Sequence, residues 1–393
     1  EPMKTGLDMP PELEPSVAKG NPVRIEPFPR PPYSNDMPHV PSFRLVWQTA
    51  FMLCFGVLGG TLATYAHLPM PWMLGGLFSS ALVVLLWAPR ILEDYSFPMQ
   101  FRTGFVALIG VMIGTQVTAE LVALAGKLPW TMAGLVVFVV LAHFGNMAIF
   151  RYLGGYDRAT AFYSGTPGGL MESIVMGEGA GADIRILTAQ QFLRIIVVIT
   201  LLPLGLSLWM GAPVGSAAGL QSAMGQSQVT PLTLVTIALA AGLGLYLARL
   251  IRLPAAQLSG PMILAALATV TGVLDLHLPI WLIAAAQLVI GVSLGMRFTG
   301  VNMALLRRCA WLALVSVAYM LVLGGLLSAL LWQITGIEWL HLLISFSPGG
   351  VAEMSVVALS LAANPALVSL HHVARILMTV VELSLAARLL GMR

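Results

Sequence analysis

Two glutamates and two arginines occupy matching places in a motif that the chain contains twice. Pro-Gly-Gly-x-x-Glu appears in "SGTPGGLMESI" and in "SFSPGGVAEMS", where it ends on Glu172 and on Glu353. Arg194 and Arg375 each follow their glutamate after 22 residues. A carboxylate binds a proton or a cation, whereas a guanidinium binds carboxylates and phosphates. The two sets therefore predict a site for a small anion, with ion-binding carboxylates beside it.

The composition is that of a membrane protein: 58% of the residues are hydrophobic, 9% are charged, and the mean hydropathy is +0.87. A transmembrane helix needs about 20 apolar residues, and many such segments follow Leu45. These features predict an all-α polytopic membrane protein. Residues 1–43 are rich in proline and charge and are expected to form a disordered cytoplasmic tail. Cys54 and Cys309 lie in or beside apolar segments, so no disulfide framework is expected.

The motif belongs to a longer internal repeat. "GVMIGTQVT" from Gly110 matches "GVSLGMRFT" from Gly291 at an offset of 181 residues, which the motif prolines and the two arginines share. Both matches contain Gly-x-x-x-Gly, which allows two helices to pack closely. A duplication is therefore predicted, with membrane repeats at 44–210 and 231–393 and an extracytoplasmic linker at 211–230. Duplication for stability alone is the plainer alternative to a transport architecture.

The relative direction of the two repeats depends on whether the motif segment, about 160–178, crosses the membrane or turns back. Six apolar segments stand in the first repeat, so a re-entrant motif segment leaves five crossings and an inverted second repeat. With a cytoplasmic N-terminus, the outer loops then receive only Lys127, in agreement with the positive-inside rule. The arginines that face the cytoplasm in this arrangement are Arg44, Arg90, Arg102, Arg151, Arg158, Arg185, Arg249, Arg252, Arg307, Arg308, Arg388 and Arg393.

This distribution predicts about ten transmembrane helices, arranged as two inverted five-helix repeats that each contain a re-entrant Pro-Gly-Gly segment. The protein is expected in a bacterial inner membrane, with both termini in the cytoplasm. Inverted repeats whose interrupted helices meet near the middle of the membrane are a common architecture of secondary transporters.

Turn signals lie midway between each glutamate and its arginine. Asp183 follows a stretch of glycine and alanine, and Asn364 precedes a proline, so both mark a turn between two helices. A hairpin that folds there brings Glu and Arg to equal depth, about 16 Å from the turn at 1.5 Å per residue. That depth is near the middle of the membrane, where a charged group is expected to pair or to face a polar cavity.

The helix-breaking Pro-Gly-Gly is expected where the re-entrant chain reverses, with the proline in the first turn of the following helix. The N-terminus of that helix carries free N–H groups and a partial positive charge, which favour an anion. Glu172 and Glu353 are assigned to coupling. The residues assigned to the solute are Thr166, Gly168, Gly169, Arg194, Ser347, Gly349, Gly350 and Arg375. As an alternative, each Glu–Arg pair is an internal brace, although a brace does not explain the Pro-Gly-Gly.

Other polar residues lie close to the arginines or inside apolar segments. Four residues one helical turn before the arginines either line the site or join helices by hydrogen bonds: Gln190, Gln191, His371 and His372. Glu382, seven residues after Arg375, is a candidate neutralising partner for it, where the first repeat has Leu201. His143 and Asn146 are assigned to packing between helices. The other histidines lack metal-ligand spacing, and no metal or other cofactor is expected.

The blocks "GTPGGLMES…GADIRILTAQQFLR" and "FSPGGVAEMS…ANPALVSLHHVAR" resemble the AbrB-type membrane protein family. The resemblance covers about 45–393 and implies a duplicated membrane domain. Members of this family are often labelled as putative ammonia monooxygenases or as transcriptional regulators. A monooxygenase needs clustered metal ligands, and the small basic β-rich DNA-binding AbrB module has no counterpart in this sequence. The resemblance therefore implies a fold more than an activity, and no catalytic residues follow from it.

The leading hypothesis is a secondary transporter that moves a small anionic organic solute, coupled to H⁺ or Na⁺. A membrane-embedded sensor that regulates gene expression through a partner is the alternative, and a membrane monooxygenase is the third hypothesis. The expected partners are the lipid bilayer, the solute and the coupling ion. No nucleic acid is expected to bind, and assembly with further copies of the chain is left open.

Overall fold

The structure is a computed structural model that describes residues 43–92, 95–117, 124–211, 213, 230–272, 279–299, 303–361 and 363–392. The predicted tail, except for its last residue, and nearly all of the predicted linker lie outside these residues. Within them, every regular element is a helix. The predicted all-α class agrees with this part of the chain.

Fourteen α-helices form the described part, seven on each side of the linker. Those before the linker are α1 Phe43–Tyr65, α2 Pro71–Ile91, α3 Met99–Gly114, α4 Leu128–Ala148, α5 Arg158–Ser164, α6 Leu170–Gly179 and α7 Ile184–Met210. Those after it are α8 Pro231–Leu250, α9 Ala256–Val270, α10 Ile280–Gly295, α11 Met303–Thr335, α12 Trp339–Phe346, α13 Val351–Ser360 and α14 Pro365–Leu389. Short 3-10 turns precede α4 and follow α10, and a π-helical turn follows α4.

Seven helical segments of the described part are long and apolar enough to cross a membrane. They correspond to α1, α4, α7, α8, α10, α11 and α14, where α4 and α10 are counted with their flanking turns. Large apolar side chains cover the outer surface of these helices, as shown by Leu208, which is 84% exposed, and Leu62, which is 69% exposed. A surface of this kind is stable in lipid rather than in water. The chain is therefore a helical membrane protein.

The two glycine motifs make close contacts between helices from opposite sides of the linker. In α3, a Cβ added at Gly110 would lie 2.5 Å from the Leu258 carbonyl oxygen of α9, and one added at Gly114 would lie 2.4 Å from the Met262 carbonyl oxygen. Real Cβ atoms do not approach so closely, so only glycine permits this packing. The predicted role of the first Gly-x-x-x-Gly in close helix contact is confirmed.

The second glycine motif repeats this arrangement with different helices. In α10, a Cβ added at Gly291 would lie 2.2 Å from the Met73 carbonyl oxygen of α2, and one added at Gly295 would lie 2.4 Å from the Leu77 carbonyl oxygen. Helix α3 thus packs on α9, and α10 packs on α2. With this packing, the start of α3 and the end of α10 lie on either side of one cavity.

Candidate functional site

Both Pro-Gly-Gly motifs interrupt a helix, and the elements around them follow the same order. A helix of seven or eight residues leads to the break, a helix of ten residues follows it, and a turn then leads to a long helix. In the first copy these helices are α5, α6 and α7. In the second copy they are α12, α13 and α14. The predicted breaks at Pro-Gly-Gly are therefore confirmed, and so are the predicted turns.

Side-chain caps fix the two turns. The carboxylate of Asp183 accepts hydrogen bonds from the backbone N–H groups of Arg185 and Ile186, at 3.0 and 3.2 Å. The side chain of Asn364 accepts one from the N–H of Leu367, at 3.0 Å. Capping of this kind satisfies donors that have no partner inside the helix. The turn signals in the sequence therefore mark the N-termini of the two long helices.

The glycines of the breaks have separate steric roles. Helices α6 and α13 begin after the glycines, so the prediction that the proline lies in the first helical turn is wrong. Gly169 has a φ of 58°, which favours glycine. A Cβ added at Gly350 would lie 2.0 Å from Oε2 of Glu353, so this glycine leaves space for the carboxylate to fold back over the first turn of α13.

The two arginines bind the broken segments and not the motif glutamates. Nη1 of Arg194 donates to the Thr166 carbonyl, and Nη1 of Arg375 donates to the Ser347 carbonyl. Nη2 of Arg375 also donates to the Gly349 carbonyl at 2.6 Å. Carbonyls at a helix break lack their intrahelical donors, and the buried guanidinium groups supply them. In the described residues, no ion pair within 4.0 Å joins Glu172 to Arg194 or Glu353 to Arg375, so the alternative of a brace is wrong, and the assignment of both arginines to a solute stays a prediction.

Glu353 forms an ion pair with a residue from the first half of the chain. Nη2 of Arg102, in the first turn of α3, donates to Oε1 of Glu353 at 3.1 Å. Nε of Arg102 donates to Oγ of Ser293 at 3.1 Å. Glu353 is 4% exposed, so this carboxylate is held inside the protein by a partly buried guanidinium. Arg102, which the sequence assigned only to the cytoplasmic side, lies in a helix and belongs to the site.

Glu172, the matching glutamate, has different surroundings. It is half-buried in the first turn of α6. In the described part of the chain, no basic nitrogen lies within 4.0 Å of its carboxylate. The two motif glutamates therefore differ in charge environment, although their positions in the motif are the same.

A cavity with a volume of about 310 Å³ lies beside the Arg102–Glu353 pair. We call it the two-arginine cavity, and its lining residues are Tyr95, Ser96, Phe97, Met99, Arg102, Ser293, Met296, Arg297 and Thr299. Burial raises the pKa of the Tyr95 hydroxyl, and the hydrogen bond that it donates to Thr49 at 3.0 Å opposes the rise. Tyr95 is therefore a neutral donor at physiological pH. The cavity is large enough for a small organic molecule.

Arg297 is the second cation of the two-arginine cavity. Its guanidinium carbon lies 4.9 Å from the centroid of the Phe192 ring, in a cation–π contact. It interacts electrostatically with both Arg102 and Glu353. Among the described residues, no carboxylate lies within 4.0 Å of Arg297. Two cations and one anion thus leave an excess of positive charge at the cavity.

Arg297 was not predicted as a site residue, although its position in an apolar segment indicates one. Arg297 lies inside the apolar span Trp281–Phe298, at a place where the first repeat has Gln116. An ionisable residue inside a membrane span indicates a functional site. Arg102 lacks such a signal, because its helix, α3, is too short to count among the seven long spans.

The residues one turn before the arginines join helices by hydrogen bonds. Nε2 of Gln191 donates to Oγ1 of Thr166 at 2.8 Å and to the Tyr163 carbonyl at 3.2 Å. Nε2 of His372 lies 3.1 Å from the Ile344 carbonyl, which is the equivalent place in the second motif. Gln191 and His372 thus support the two breaks in the same way. The predicted alternative of hydrogen bonding between helices describes both residues.

The partners of these residues differ in the two motifs. Nε2 of Gln190 donates to the Tyr156 hydroxyl at 2.8 Å. Nδ1 of His371 bonds to the Leu367 carbonyl of its own helix at 2.8 Å. Nδ1 of His372 accepts from Nη2 of Arg375 at 2.7 Å, while Nε of that guanidinium has no hydrogen-bond partner within the described part of the chain. All of these side chains are buried in the protein.

The first break and the second long helix lie against each other. A Cβ added at Gly168 would lie 3.1 Å from Oγ1 of Thr379 and 3.8 Å from the Arg375 carbonyl oxygen, both in α14. The guanidinium groups of Arg194 and Arg375 are close enough to repel each other. The Pro-Gly-Gly segments therefore contribute to one shared region of the protein.

Glu382 and His143 form a second buried pair in this region. Nδ1 of His143 lies 2.8 Å from both carboxylate oxygens of Glu382, and Nε2 lies 2.9 Å from the Phe162 carbonyl. The prediction that Glu382 neutralises Arg375 is therefore wrong. Asn146 donates to the Gly165 carbonyl at 3.2 Å and accepts from Ser316 at 2.8 Å. Both helix-embedded polar residues of α4 thus bind partners, beyond simple packing.

Comparison with known proteins places this architecture in a family. Residues 77–391 match the family described as "Transition state regulatory protein AbrB". The chain belongs to the AbrB family. The family resemblance of the two motif blocks is thereby confirmed.

Two relatives of this AbrB-family chain match along most of their length. The "Putative regulator AbrB" of Escherichia coli (strain K12) is 26% identical over 328 residues, which cover 82% of this chain and 90% of that protein. The "Uncharacterized protein YhjN" of Bacillus subtilis (strain 168) is 23% identical over 356 residues, covering 86% and 92%. Neither these names nor the family description indicates an enzyme. In the described residues, no three His, Cys, Asp or Glu side chains are grouped as metal ligands.

Proposed function

We propose that this AbrB-family protein is a secondary transporter of a small anionic organic solute, coupled to H⁺ or Na⁺. The observation that carries the proposal is the two-arginine cavity, in which Arg102 is bound to Glu353 and Arg297 has no described carboxylate partner. A guanidinium without a carboxylate is a ready site for a carboxylate or phosphate group of a solute. A site inside the membrane domain, built by helices from both halves, is typical of a transporter.

In this proposal, Glu353 and the anionic solute compete for the guanidinium of Arg102, and this competition couples ion binding to solute binding. While Glu353 is ionised, it occupies the guanidinium of Arg102 and opposes the entry of an anion. When a proton or a cation neutralises Glu353, Arg102 becomes available to the solute beside Arg297. Ion and solute then favour each other's binding, which is the thermodynamic requirement for coupled transport. Glu172, near the matching break, is the second carboxylate that we assign to coupling.

The proposed architecture consists of ten crossings in two inverted five-helix repeats. The seven long spans account for seven crossings, and α2, α3 and α9 supply the other three as shorter or tilted helices. The two Pro-Gly-Gly segments are re-entrant in this proposal. Gly168 of the first segment packs against α14, and Arg375 of α14 binds the second segment. The linker then faces away from the cytoplasm, and both termini lie in the cytoplasm of a bacterial cell.

The motif residues have two roles in this proposal. The arginines of the long helices keep the breaks open, because their donors are bound to break carbonyls. The backbone of the breaks lines the pathway for the solute and presents the N–H groups of α6 and α13. The residues with this lining role are Thr166, Gly168, Gly169, Ser347, Gly349 and Gly350.

Glu353→Gln tests the coupling. Glutamine keeps the shape of the side chain but cannot carry a charge, so Arg102 stays available to the solute whether or not an ion is present. We expect exchange of solute across the membrane of proteoliposomes to persist, while accumulation against a solute gradient is lost. The labelled solute is the carboxylate or phosphate ester that most stabilises the wild-type protein in a thermal-shift panel.

The matched control is Glu338→Gln, because the Glu338 side chain is 68% exposed and lies at the N-terminus of α12, the end away from the break. This variant is expected to accumulate solute like the wild type. Accumulation by Glu353→Gln at the wild-type level, driven by a pH or Na⁺ gradient, would remove Glu353 from the coupling mechanism.

Regulation of gene expression through a partner is the second candidate function, supported by the family description and by the name of the Escherichia coli relative. This function assigns the partner contact to the predicted tail, residues 1–43. Deletion of the tail in cells distinguishes the two. A regulator loses its transcriptional effect, whereas a transporter keeps full solute flux in proteoliposomes.

A further inference from the structure

His143 is held between two groups that accept hydrogen bonds. Its Nε2 lies 2.9 Å from the Phe162 carbonyl, and its Nδ1 lies 2.8 Å from both oxygens of Glu382. The imidazole is fully buried, and the Glu382 side chain is 12% exposed. A backbone carbonyl cannot donate, so Nε2 must carry a hydrogen in this arrangement.

The contact between Nδ1 of His143 and Glu382 requires one proton between the two groups. If Glu382 is ionised, Nδ1 must carry a proton, and the pair is imidazolium–carboxylate. If His143 is neutral, its bare Nδ1 accepts from a protonated carboxyl group. Both forms hold the same single proton between Nδ1 and the carboxylate. Its loss would leave two lone pairs facing each other at 2.8 Å, and the contact would break.

Glu382 lines a groove that opens on the apolar surface of the membrane domain. The groove has a volume of about 600 Å³ and lies between α4 and α14. Among its lining residues, Glu382 is the one ionisable side chain, and the others are apolar. Val381 and Leu385, which flank Glu382, are 60% and 54% exposed. A carboxyl group at the base of a lipid-facing groove is open to small apolar reagents and closed to bulk ions.

Of the other titratable groups on the surrounding helices, Glu172 of α6 has no basic nitrogen within 4.0 Å in the described residues, and three have partners of their own. On α5, Tyr163 donates to the Met392 carbonyl at 3.1 Å, and on α11, Tyr319 donates to the Leu141 carbonyl at 2.8 Å. On α14, Arg375 is bound to the Ser347 and Gly349 carbonyls. In the described residues, none of these three is within hydrogen-bonding distance of the pair. The proton therefore belongs to His143 and Glu382 alone.

We propose that His143 and Glu382 form a membrane-embedded proton-binding site, separate from the two-arginine cavity, whose proton takes part in coupling. Its role in coupling rests on the proposed transport function, whereas its proton content does not. The site is connected to the first break, because Phe162 precedes the Pro-Gly-Gly and its carbonyl is the partner of Nε2. Release of the proton frees this end of the break to move.

Dicyclohexylcarbodiimide, a small apolar reagent for protonated carboxyl groups, tests the proton site on the purified full chain in detergent. The carboxyl proton moves to one carbodiimide nitrogen while a carboxyl oxygen bonds to the central carbon. The resulting O-acylisourea rearranges to a stable N-acylurea, with no oxidant or further reactant. Mass spectrometry of peptides then locates the adduct.

We expect an adduct at Glu382 in the wild-type protein, because the reagent attacks a carboxyl group that carries a proton. Glu382→Gln should carry no adduct in this peptide. Glu338, which is exposed to water, is the internal control and should react far more slowly with this apolar reagent. Absence of an adduct at Glu382, or an adduct that forms no faster than the one at Glu338, would overturn the proton site.

Glu382→Gln tests the coupling role in proteoliposomes. The glutamine amide can donate to the bare Nδ1 of a neutral His143, so the variant imitates the protonated carboxyl and keeps the contact. We expect solute exchange to persist and accumulation driven by a pH gradient to be lost. Accumulation at the wild-type level would overturn the coupling role. If the wild-type protein moves no solute at all, the proposed transport function fails, and the carbodiimide result still decides the proton site.

Discussion

Replacing Arg375 by leucine is expected to destabilise the folded protein strongly. The guanidinium donates to the carbonyls of Ser347 and Gly349 and to Nδ1 of His372. Leucine offers no donor, and each buried acceptor left without a partner costs about 1–3 kcal/mol. Release of a buried charge offsets part of this loss. A net destabilisation of about 2–5 kcal/mol is expected, which is a large share of the roughly 5–15 kcal/mol that stabilises a typical protein.

Thermal unfolding in detergent, followed by size-exclusion chromatography, measures this effect. Arg388→Leu is the matched control, because Arg388 is exposed on the same helix, and its melting temperature should stay close to that of the wild type. Arg194→Leu should be milder than Arg375→Leu, since Arg194 has a hydrogen bond to one break carbonyl and Gln191 also supports that break. Equal melting temperatures for Arg375→Leu and Arg388→Leu would show that the guanidinium does not hold the second break.

Arg297→Gln is expected to reduce solute uptake by about 10- to 100-fold while the protein remains folded. Arg297 is exposed at the two-arginine cavity and stacks on Phe192, so its loss opens no buried gap. A hydrogen bond to a charged group contributes about 1.5–3 kcal/mol, and each 1.4 kcal/mol changes affinity about tenfold. The loss should therefore appear mainly as a higher solute concentration for half-maximal uptake.

Initial rates of uptake over a range of solute concentrations provide this measurement. Arg249→Gln is the matched control, because Arg249 is an exposed arginine at the end of α8. Its uptake should match that of the wild type, and so should the melting temperatures of both variants. Uptake by Arg297→Gln with an unchanged half-saturation concentration would place the solute site outside the two-arginine cavity.

The local features of both motifs could be predicted from the sequence because they depend on neighbouring residues. Glycine and proline interrupt the helices, Asp183 and Asn364 cap the helices that follow, and paired glycines mark close crossings. The repeat offset of 181 residues then transfers each feature from one half to the other. Residue types and the match between the two halves of the sequence were therefore enough to predict the breaks, the caps and the close crossings.

The ion pairs could not be predicted because they join residues far apart in the chain. Glu353 and Arg102 are 251 positions apart, and Glu382 and His143 are 239 apart. Each pair depends on how α3 packs against α13, or α4 against α14, which no spacing along one helix reveals. The alternative of a direct brace between each glutamate and the arginine of its own repeat was therefore wrong in both motifs.

The arginines of the two-arginine cavity and both members of the His143–Glu382 pair have no charged counterpart at the matching position in the other half of the chain. At the offset of 181 residues, Arg102 corresponds to Ile283 and Arg297 corresponds to Gln116. The second pair is equally unmatched, because His143 corresponds to Gly324 and Glu382 to Leu201. The two-arginine cavity and the His143–Glu382 pair therefore each occur once. Each of these sites combines residues from both halves of the chain, so the proposed anion site and the proposed proton site are separate and neither is duplicated.

Side-specific labelling of single cysteines tests most directly whether the two halves cross the membrane in opposite directions. In a chain with Cys54→Ala and Cys309→Ala, a cysteine replaces either Ser96, at the two-arginine cavity, or Thr230, just before α8. Both positions are exposed. A membrane-impermeant maleimide is expected to label Thr230→Cys in intact cells, and Ser96→Cys only after the membrane is opened. Labelling of both positions from the same side would contradict the inverted arrangement and the transport function built on it.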